Sequence, residues 1–285
     1  MPELPEVETV VRTLAPHLVG HRFASIRHLR SDIVEPQNTD LPRLLKNRRV
    51  TAIQRRGKKI LIRLDTDATL CIHLGMTGRL TVERTHEPIK PHTHLIADLS
   101  GKLQLRFRDP RRFGGIWWLC NGEADDTNLG PEPLNVRPEQ LLKRLSKTRR
   151  AIKTALLDQR ILAGIGNIYA DESLFHARID PTTPGNLLTR EQVFRLNRSI
   201  KLILRRAINH RGSSLRDYVD ADGEEGAFQL LHRVYARENQ PCVRCKTPIS
   251  RIVLGGRSTH FCPNCQTASA KSKTIAKHAK SRPER

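Results

Sequence analysis

Hydrophobic residues recur at helical spacing near the start of the chain. Val7, Val10, Val11 and Leu14 fall at i, i+3, i+4 and i+7, which predicts a helix over Pro5 to Ala15 with Pro5 and Glu6 in its first turn and Pro16 beyond its end. From about His21 to Leu119 the period shortens to two. Ile60, Ile62 and Leu64 form one alternation, Leu95, Ala97 and Leu99 a second, and Leu103, Leu105 and Phe107 a third, which follows across a Ser100-Gly101 turn. Short strands in such number predict a β-sandwich or barrel. Asn121 to Arg137 (NGEADDTNLGPEPLNVR) is polar and rich in Gly and Pro, so it reads as a linker. Helical spacing then returns over Pro138 to Leu145, Arg150 to Leu157, Gly166 to His176, and Arg190 to Asn209. Val193, Leu196, Ile200, Ile203, Leu204 and Ala207 share one face of the last. No internal repeat is evident.

Composition turns this two-part pattern toward a partner. The 285 residues carry 50 Lys+Arg against 29 Asp+Glu, a formal charge of +21, with 4% aromatics. The excess favours a polyanion, because phosphate neutralisation dominates nucleic-acid affinity. So few aromatics argue against a broad base-stacking platform. No run approaches the roughly 18 apolar residues of a membrane span, and acids occupy the start where a secretory signal needs basic and then apolar residues. A soluble, cytoplasmic protein is expected. Residues 267–285 lack a core pattern and are rich in Lys and Arg, which predicts a flexible basic tail.

Cysteine spacing adds a metal. Cys71 and Cys120 stand alone in apolar contexts and read as buried thiols. The other four, Cys242-x2-Cys245-x16-Cys262-x2-Cys265, match a four-thiolate zinc site. Two disulfides are the alternative, which an intracellular setting disfavours. Four thiolates leave zinc no open position, so the metal is expected to be structural and catalysis must lie elsewhere.

Several motifs admit two readings on their residues alone. Removal of Met1 would free the amine of Pro2, beside Glu3 and Glu6. An α-amine has a reference pKa of about 7.7 to 8.0, so a usable fraction is unprotonated near neutrality and can attack an electrophilic carbon. Equally, Pro2 and Glu3 can be the lead-in to a helix. Arg55-Arg56-Gly57-Lys58-Lys59 is a basic turn, either solvated or functional. Asp109-Pro110-Arg111-Arg112-Phe113-Gly114-Gly115 is either a plain loop or an Arg-plus-aromatic wedge of the kind that enters a duplex. Leu162-Ala163-Gly164-Ile165-Gly166-Asn167 either connects helices or offers N–H groups to a phosphate. His92 and His94 lack the partners of a metal site and read as surface or phosphate-contacting residues.

In combination, MPELPEVET at residues 1–9, the RRGK turn, HLGMTG, DPRRFGG, LAGIGNIYADESLF and the paired CxxC motifs resemble the formamidopyrimidine-DNA glycosylases, in order from residue 1 to about Gln266. Leu4-Pro5 is more similar to this branch than to the related endonuclease VIII group. The resemblance implies a multi-domain α+β fold. Its parts are an N-terminal β-sandwich with flanking helices over 1–120, a helical domain with a helix-two-turn-helix motif over 138–235, and a zinc finger over 236–266, with DNA between the two main domains. It implies a monomer that excises 8-oxoguanine and formamidopyrimidines from double-stranded DNA and nicks the abasic strand. By motif, Pro2 is the nucleophile that forms a Schiff base, Glu3 its acid/base partner, Lys58 a proton donor in β-elimination, and Arg257 a phosphate holder linked to δ-elimination. Met76, Arg111 and Phe113 match the trio that fills the gap left by a flipped nucleotide. His73, His92 and Asn167 match DNA contacts, and Arg149 and Lys153 lie near another such region. Lys59, where an aromatic or apolar residue is expected, departs from the pattern. A DNA-binding protein that has lost its chemistry and a basic RNA-associated zinc-ribbon protein are the competing classes.

Overall fold

The computed structural model describes residues 1–120 and 128–267. The first seven residues of the expected linker, and the expected tail beyond Thr267, lie outside them. The chain forms two compact units, Met1–Asn128 with Ala207–Leu230, and Leu129–Arg206 with Leu231–Arg285.

The first unit begins with α1 (Leu4–Leu18), which buries Leu4, Val7, Val10, Val11, Leu14 and Leu18. The helix runs one turn past its expected end, with Pro16 inside it. Leu18, wholly buried, lies one turn on from Leu14 on the same face, and this packing outweighs the hydrogen bond that Pro16 cannot donate. There follow β1 (Phe23–His28), β2 (Val34–Glu35), α2 (Leu41–Leu45), β3 (Val50–Arg56), β4 (Lys59–Leu64), β5 (Thr69–His73), β6 (Arg79–Arg84), β7 (Thr93–Leu99), β8 (Leu103–Arg108) and β9 (Gly115–Leu119). They form two sheets, ordered β1-β7-β8-β6 and β2-β9-β5-β4-β3. The pairings are antiparallel except β2 with β9. Ile60, Ile62, Ile72 and Ile116 of one sheet and Leu80, Leu95, Ala97 and Phe107 of the other share a core with α1. The expected sandwich is thus present, and the alternating residues are the ones that close it.

The second unit contains α3 (Pro138–Leu145), α4 (Ile152–Leu157), α5 (Asn167–Ala177), α6 (Arg190–Asn209) up to Arg206, and a hairpin of β10 (Ser250–Leu254) and β11 (Arg257–Phe261). The helices lie close to their expected spans. One stretch of the expected 138–235 domain groups differently, since Ala207–Leu230 belongs with the strand-rich unit. Tyr218 and Ala221 join that unit's core, and the Val82 N–H donates to the Ala221 carbonyl at 2.9 Å. Among the described residues no helix is long and apolar enough to cross a membrane.

Candidate functional site

In the first unit, Pro2 and Glu3 are buried whereas Met1 is 54% exposed. Their position is set by Glu6. Its carboxylate accepts the Glu3 N–H at 2.8 Å through one oxygen and the Ser213 N–H at 2.8 Å through the other, closing the helix start as a residue at the third helical position does. Gly212 makes room for it: a Cβ there would lie 2.7 Å from Glu6 Oε1, and its φ of +79° suits glycine. Tyr218 Oη also donates to the Glu6 carbonyl at 3.2 Å.

Lys58 sits with Gly57 in the two-residue turn between β3 and β4, where Arg56 pairs with Lys59 and Gly57 has φ +56°. Arg55 ties this turn to α1. Its Nε contacts Glu8 Oε2 at 2.9 Å, and a terminal nitrogen donates to the Gly57 carbonyl at 3.1 Å. Should Lys58 act as its motif implies, Arg55→Ala will slow that chemistry in a single turnover about 10- to 100-fold, the scale of a displacement near 1 Å, with DNA affinity little changed. Arg55→Lys recovers only part of the rate, because an ammonium lacks the guanidinium fork that serves both partners. A wild-type rate in Arg55→Ala would remove the turn-positioning role. The ammonium of Lys59 lies 5.5 Å from the centroid of the Trp117 ring, and that aromatic face accommodates the charge that departs from the family pattern.

His73 pairs with Lys59 across β4 and β5. Burial, then Lys58 and Lys59, depress its imidazole from 6.5 to about 4, and the Gly75 N–H donates to its Nδ1 at 3.2 Å. His73 is thus neutral near pH 7 with its proton on Nε2. The unfolded chain takes up this proton first, so the stability contribution is complete above pH 6.5 and is lost as pH falls through 6.5 toward 4. Denaturant unfolding of His73→Gln across that window should show a shallower acid decline than the parent. Equal slopes would mean that other groups govern it.

The loop over 109–115 is organised by Asp109, which is wholly buried. Its carboxylate accepts the Thr77 hydroxyl at 2.6 Å and the Gly114 N–H at 2.7 Å. Backbone meets backbone beside it: a Cβ at Gly75 would lie 2.4 Å from Gly114 N. Met76, 38% exposed, and Phe113, 55% exposed, are thereby carried on abutting loops. The Arg111 guanidinium stacks 4.6 Å from the Phe113 centroid. Exposed His92 accepts the Asp109 N–H through its carbonyl. His94 is buried and bonds to the Asp109 carbonyl at 2.8 Å; its role is structural rather than the expected surface one.

In the second unit, Gln159 shapes the glycine turn before α5. Its side-chain oxygen accepts the Gly164 N–H at 2.7 Å and its amide donates to the Ile165 carbonyl at 2.9 Å. Asn167 opens α5, and its Nδ2 donates to Ser258 Oγ on β11 at 3.3 Å. Lys153, which the resemblance places near a DNA-contacting region, lies beneath this turn. Its side chain is 0% exposed, ion-paired with Asp171, and its Nζ donates to the Asn167 carbonyl at 3.0 Å, so it braces that turn. Asp171 also accepts the His260 N–H at 3.0 Å, joining the turn to the hairpin. Arg149 is exposed, as is Arg257 just after the Gly255-Gly256 turn, whose φ values are +56° and +73°.

The four hairpin cysteines are free of disulfides. Their sulfurs lie within 4.8 Å of one another, with pairs at 3.4 to 4.0 Å. A tetrahedral centre with bonds of about 2.3 Å requires sulfurs about 3.8 Å apart, so the set fits one zinc ion. Burial and the neighbouring sulfurs push the Cys265 thiol up to about 12, and four thiolates at this spacing need a cation among them. Cys71 is buried as expected, but Cys120 is exposed.

Comparisons with known proteins agree with this arrangement. Family models match for the formamidopyrimidine-DNA glycosylase N-terminal domain over residues 1–116, its H2TH domain over 129–219, and a zinc finger found in that glycosylase and in IleRS over 239–268. The formamidopyrimidine-DNA glycosylase of Herpetosiphon aurantiacus is 45% identical over 93% of this chain and 100% of its own, and that of Geobacillus kaustophilus is 42% identical over the same shares. Among solved structures, the MutM (Fpg) protein of Thermus thermophilus is similar at a TM-score of 0.83 and 41% identity, over 93% of this chain and 98% of that one. Lactococcus lactis Fpg in complex with DNA containing an abasic site is similar at 0.88 and 35%, over 93% and 100%. The matched models span most of the sequence and the relatives nearly all of it, so the chain belongs to the formamidopyrimidine-DNA glycosylase family, with the four cysteines as its structural zinc site.

Proposed function

We propose that the protein removes oxidised purines, 8-oxoguanine and formamidopyrimidines, from duplex DNA and then breaks the strand, with the amine of Pro2 as nucleophile. The observation that carries this reading is the buried Pro2-Glu3 start, locked by Glu6 behind an exposed Met1. Solved relatives bound to DNA with a Fapy-dG lesion or an abasic site agree with it. The protein would act in the cytoplasm, where bacterial DNA lies.

Cleavage of the Met1–Pro2 bond turns an amide nitrogen into a secondary amine. Its lone pair attacks C1′ of the lesion nucleotide, the bond from C1′ to the base breaks, and the base leaves with a proton. Glu3 serves this stage by moving a proton to the sugar ring oxygen as the ring opens. The amine proton departs and a C1′ iminium remains. That cation acidifies the C2′ protons. Loss of one, with departure of the 3′ phosphate, is β-elimination, assisted by Lys58. A second elimination releases the 5′ phosphate, held by Arg257, and water then hydrolyses the imine to free Pro2.

C1′ is out of reach while the base is stacked, so the nucleotide must flip out at a cost of a few kcal/mol. Met76, Arg111 and Phe113 offset that cost by filling the gap, and Arg111 reads the orphaned base, a contact worth about 1 to 3 kcal/mol of discrimination. His73 donates from a neutral ring, while His92, Arg149 and Asn167 contact the strand. Zinc shapes the hairpin that carries Arg257. Borohydride reduction with a duplex holding 8-oxoguanine opposite cytosine tests the reading: a covalent adduct with Met1-processed protein is expected. No adduct would leave a DNA-binding protein without chemistry, and equal competition by structured RNA would favour the RNA-associated class.

A further inference from the structure

The inner face of α6 is apolar, but from Arg195 onward its other face carries charge of one sign. Arg195, Arg198, Arg205 and Arg206 are exposed and Lys201 is partly so. Between Arg195 and Asn209 the helix contains no acid. A solvated helix face ordinarily interleaves signs so that residues three and four apart attract. Here the neighbours at those spacings, Arg195 with Arg198, Arg198 with Lys201, and Lys201 with Arg205, repel. Among the described residues, no ion pair or hydrogen bond engages the side chains of Arg198, Lys201 or Arg205. Arg195 donates to the Ala177 carbonyl, so the three form the uncommitted part of the face. At about 1.5 Å per residue, Arg198 to Arg205 spans about 10.5 Å, the length over which one DNA strand presents about three phosphates.

We propose that this face of α6 is a second DNA-binding surface, which takes the sugar-phosphate backbone of undamaged duplex and is separate from the residues assigned to the lesion. The proposal rests on the reading that duplex DNA is the substrate. It gives the repulsive row a counter-charge, and it gives the protein a sequence-independent hold with which to stay on DNA or pass between duplexes while searching. Recognition is by charge, because Arg198 to Arg205 contains no aromatic for base stacking and Phe194, one turn earlier, is covered by the Arg190 guanidinium at 4.9 Å.

The test is the full chain with Arg198→Gln, Lys201→Gln and Arg205→Gln combined. Glutamine keeps helix propensity, and an unchanged unfolding midpoint confirms the fold. Affinity for a long undamaged duplex is measured against salt. The slope of log K against log salt should become shallower by about 2 to 3, near 0.9 for each phosphate that is no longer neutralised, while single-turnover excision from a saturating short lesion duplex is unchanged. An unchanged slope overturns the proposal and leaves the face to an acidic polypeptide or to solvent. Loss of excision on the saturating short duplex also overturns it, because the face would then belong to the lesion site. The slope on undamaged DNA needs no catalysis, so failure of the glycosylase reading in the trapping experiment is seen separately.

Discussion

A residue or tag retained ahead of Pro2 abolishes the borohydride-trapped adduct, and Pro2→Gly in processed protein slows base removal by about 100-fold or more, the cost of a poorly placed reacting group. Both expectations follow from the nitrogen. Inside the Met1–Pro2 peptide bond its lone pair is delocalised into the carbonyl, so no arrangement of Glu3 or Lys58 can make it attack. Once freed, the proline nitrogen is held by its ring, and Glu6 fixes the next residue through the Glu3 N–H. Its adduct with C1′ is an iminium that carries positive charge at any pH. Glycine supplies a primary amine that rotates freely and whose imine must be protonated before it withdraws electrons comparably. Pro2→Gly should thus still yield some adduct, more slowly, with affinity for an uncleavable abasic-site duplex close to the parent's. Parental single-turnover rates would show that Pro2 is only the lead-in to α1.

Much of the architecture is legible in the sequence because it is periodic. The stripe of Val7, Val10, Val11 and Leu14, the inward alternation of Ile60, Ile62 and Leu64, and the apolar face of α6 each impose one geometry. What cannot be read depends on partners far along the chain. Glu6 looks like any first-turn acid, yet its oxygen meets Ser213, 207 residues away. Ala207–Leu230 follows a helix and precedes the zinc module, but Tyr218 and Ala221 take it into the sandwich core. Arg55 sits in a basic run whose composition cannot reveal that one member pairs with Glu8. Lys153 is a similar case: its neighbours Arg149 and Arg150 are exposed, whereas it is buried and paired with Asp171. A local signal does exist: Ile152, Ala155 and Leu156 place Lys153 on the buried side of α4, and Asp171 occupies a buried position of α5. Two opposite charges on two apolar faces suggest a pair.

Stripping zinc with a chelator, or Cys245→Ser, should lower the metal from one ion per chain to none and weaken binding to an abasic-site duplex by about tenfold or more, since the ion holds the hairpin together. Beyond its hydrogen bonds, that hairpin has little apolar packing to hold it. Its buried cluster is Phe175, Val234, Cys242, Ile249 and Cys262, so two of the five are themselves zinc ligands. In small modules of this kind, bound zinc contributes on the order of 10 kcal/mol to folding. Without the ion, like-charged thiolates repel at separations of 3.4 to 4.0 Å and protonation must relieve them. Unfolding of the hairpin would also break the His260 bond to Asp171 and the Asn167 bond to Ser258. The effect should therefore extend to the turn that opens α5. Hydrogen exchange should lose protection across Ser250–Phe261 first and then around Asn167, and added zinc should restore both in the stripped wild-type protein but not in Cys245→Ser. On the proposed assignments, the first adduct between Pro2 and C1′ should survive at saturating protein, because Pro2 lies in the other unit, while the second elimination, assigned to Arg257, should fall. Full affinity and protection in metal-free protein would mean that the hairpin's apolar packing suffices and the thiolate cluster is dispensable.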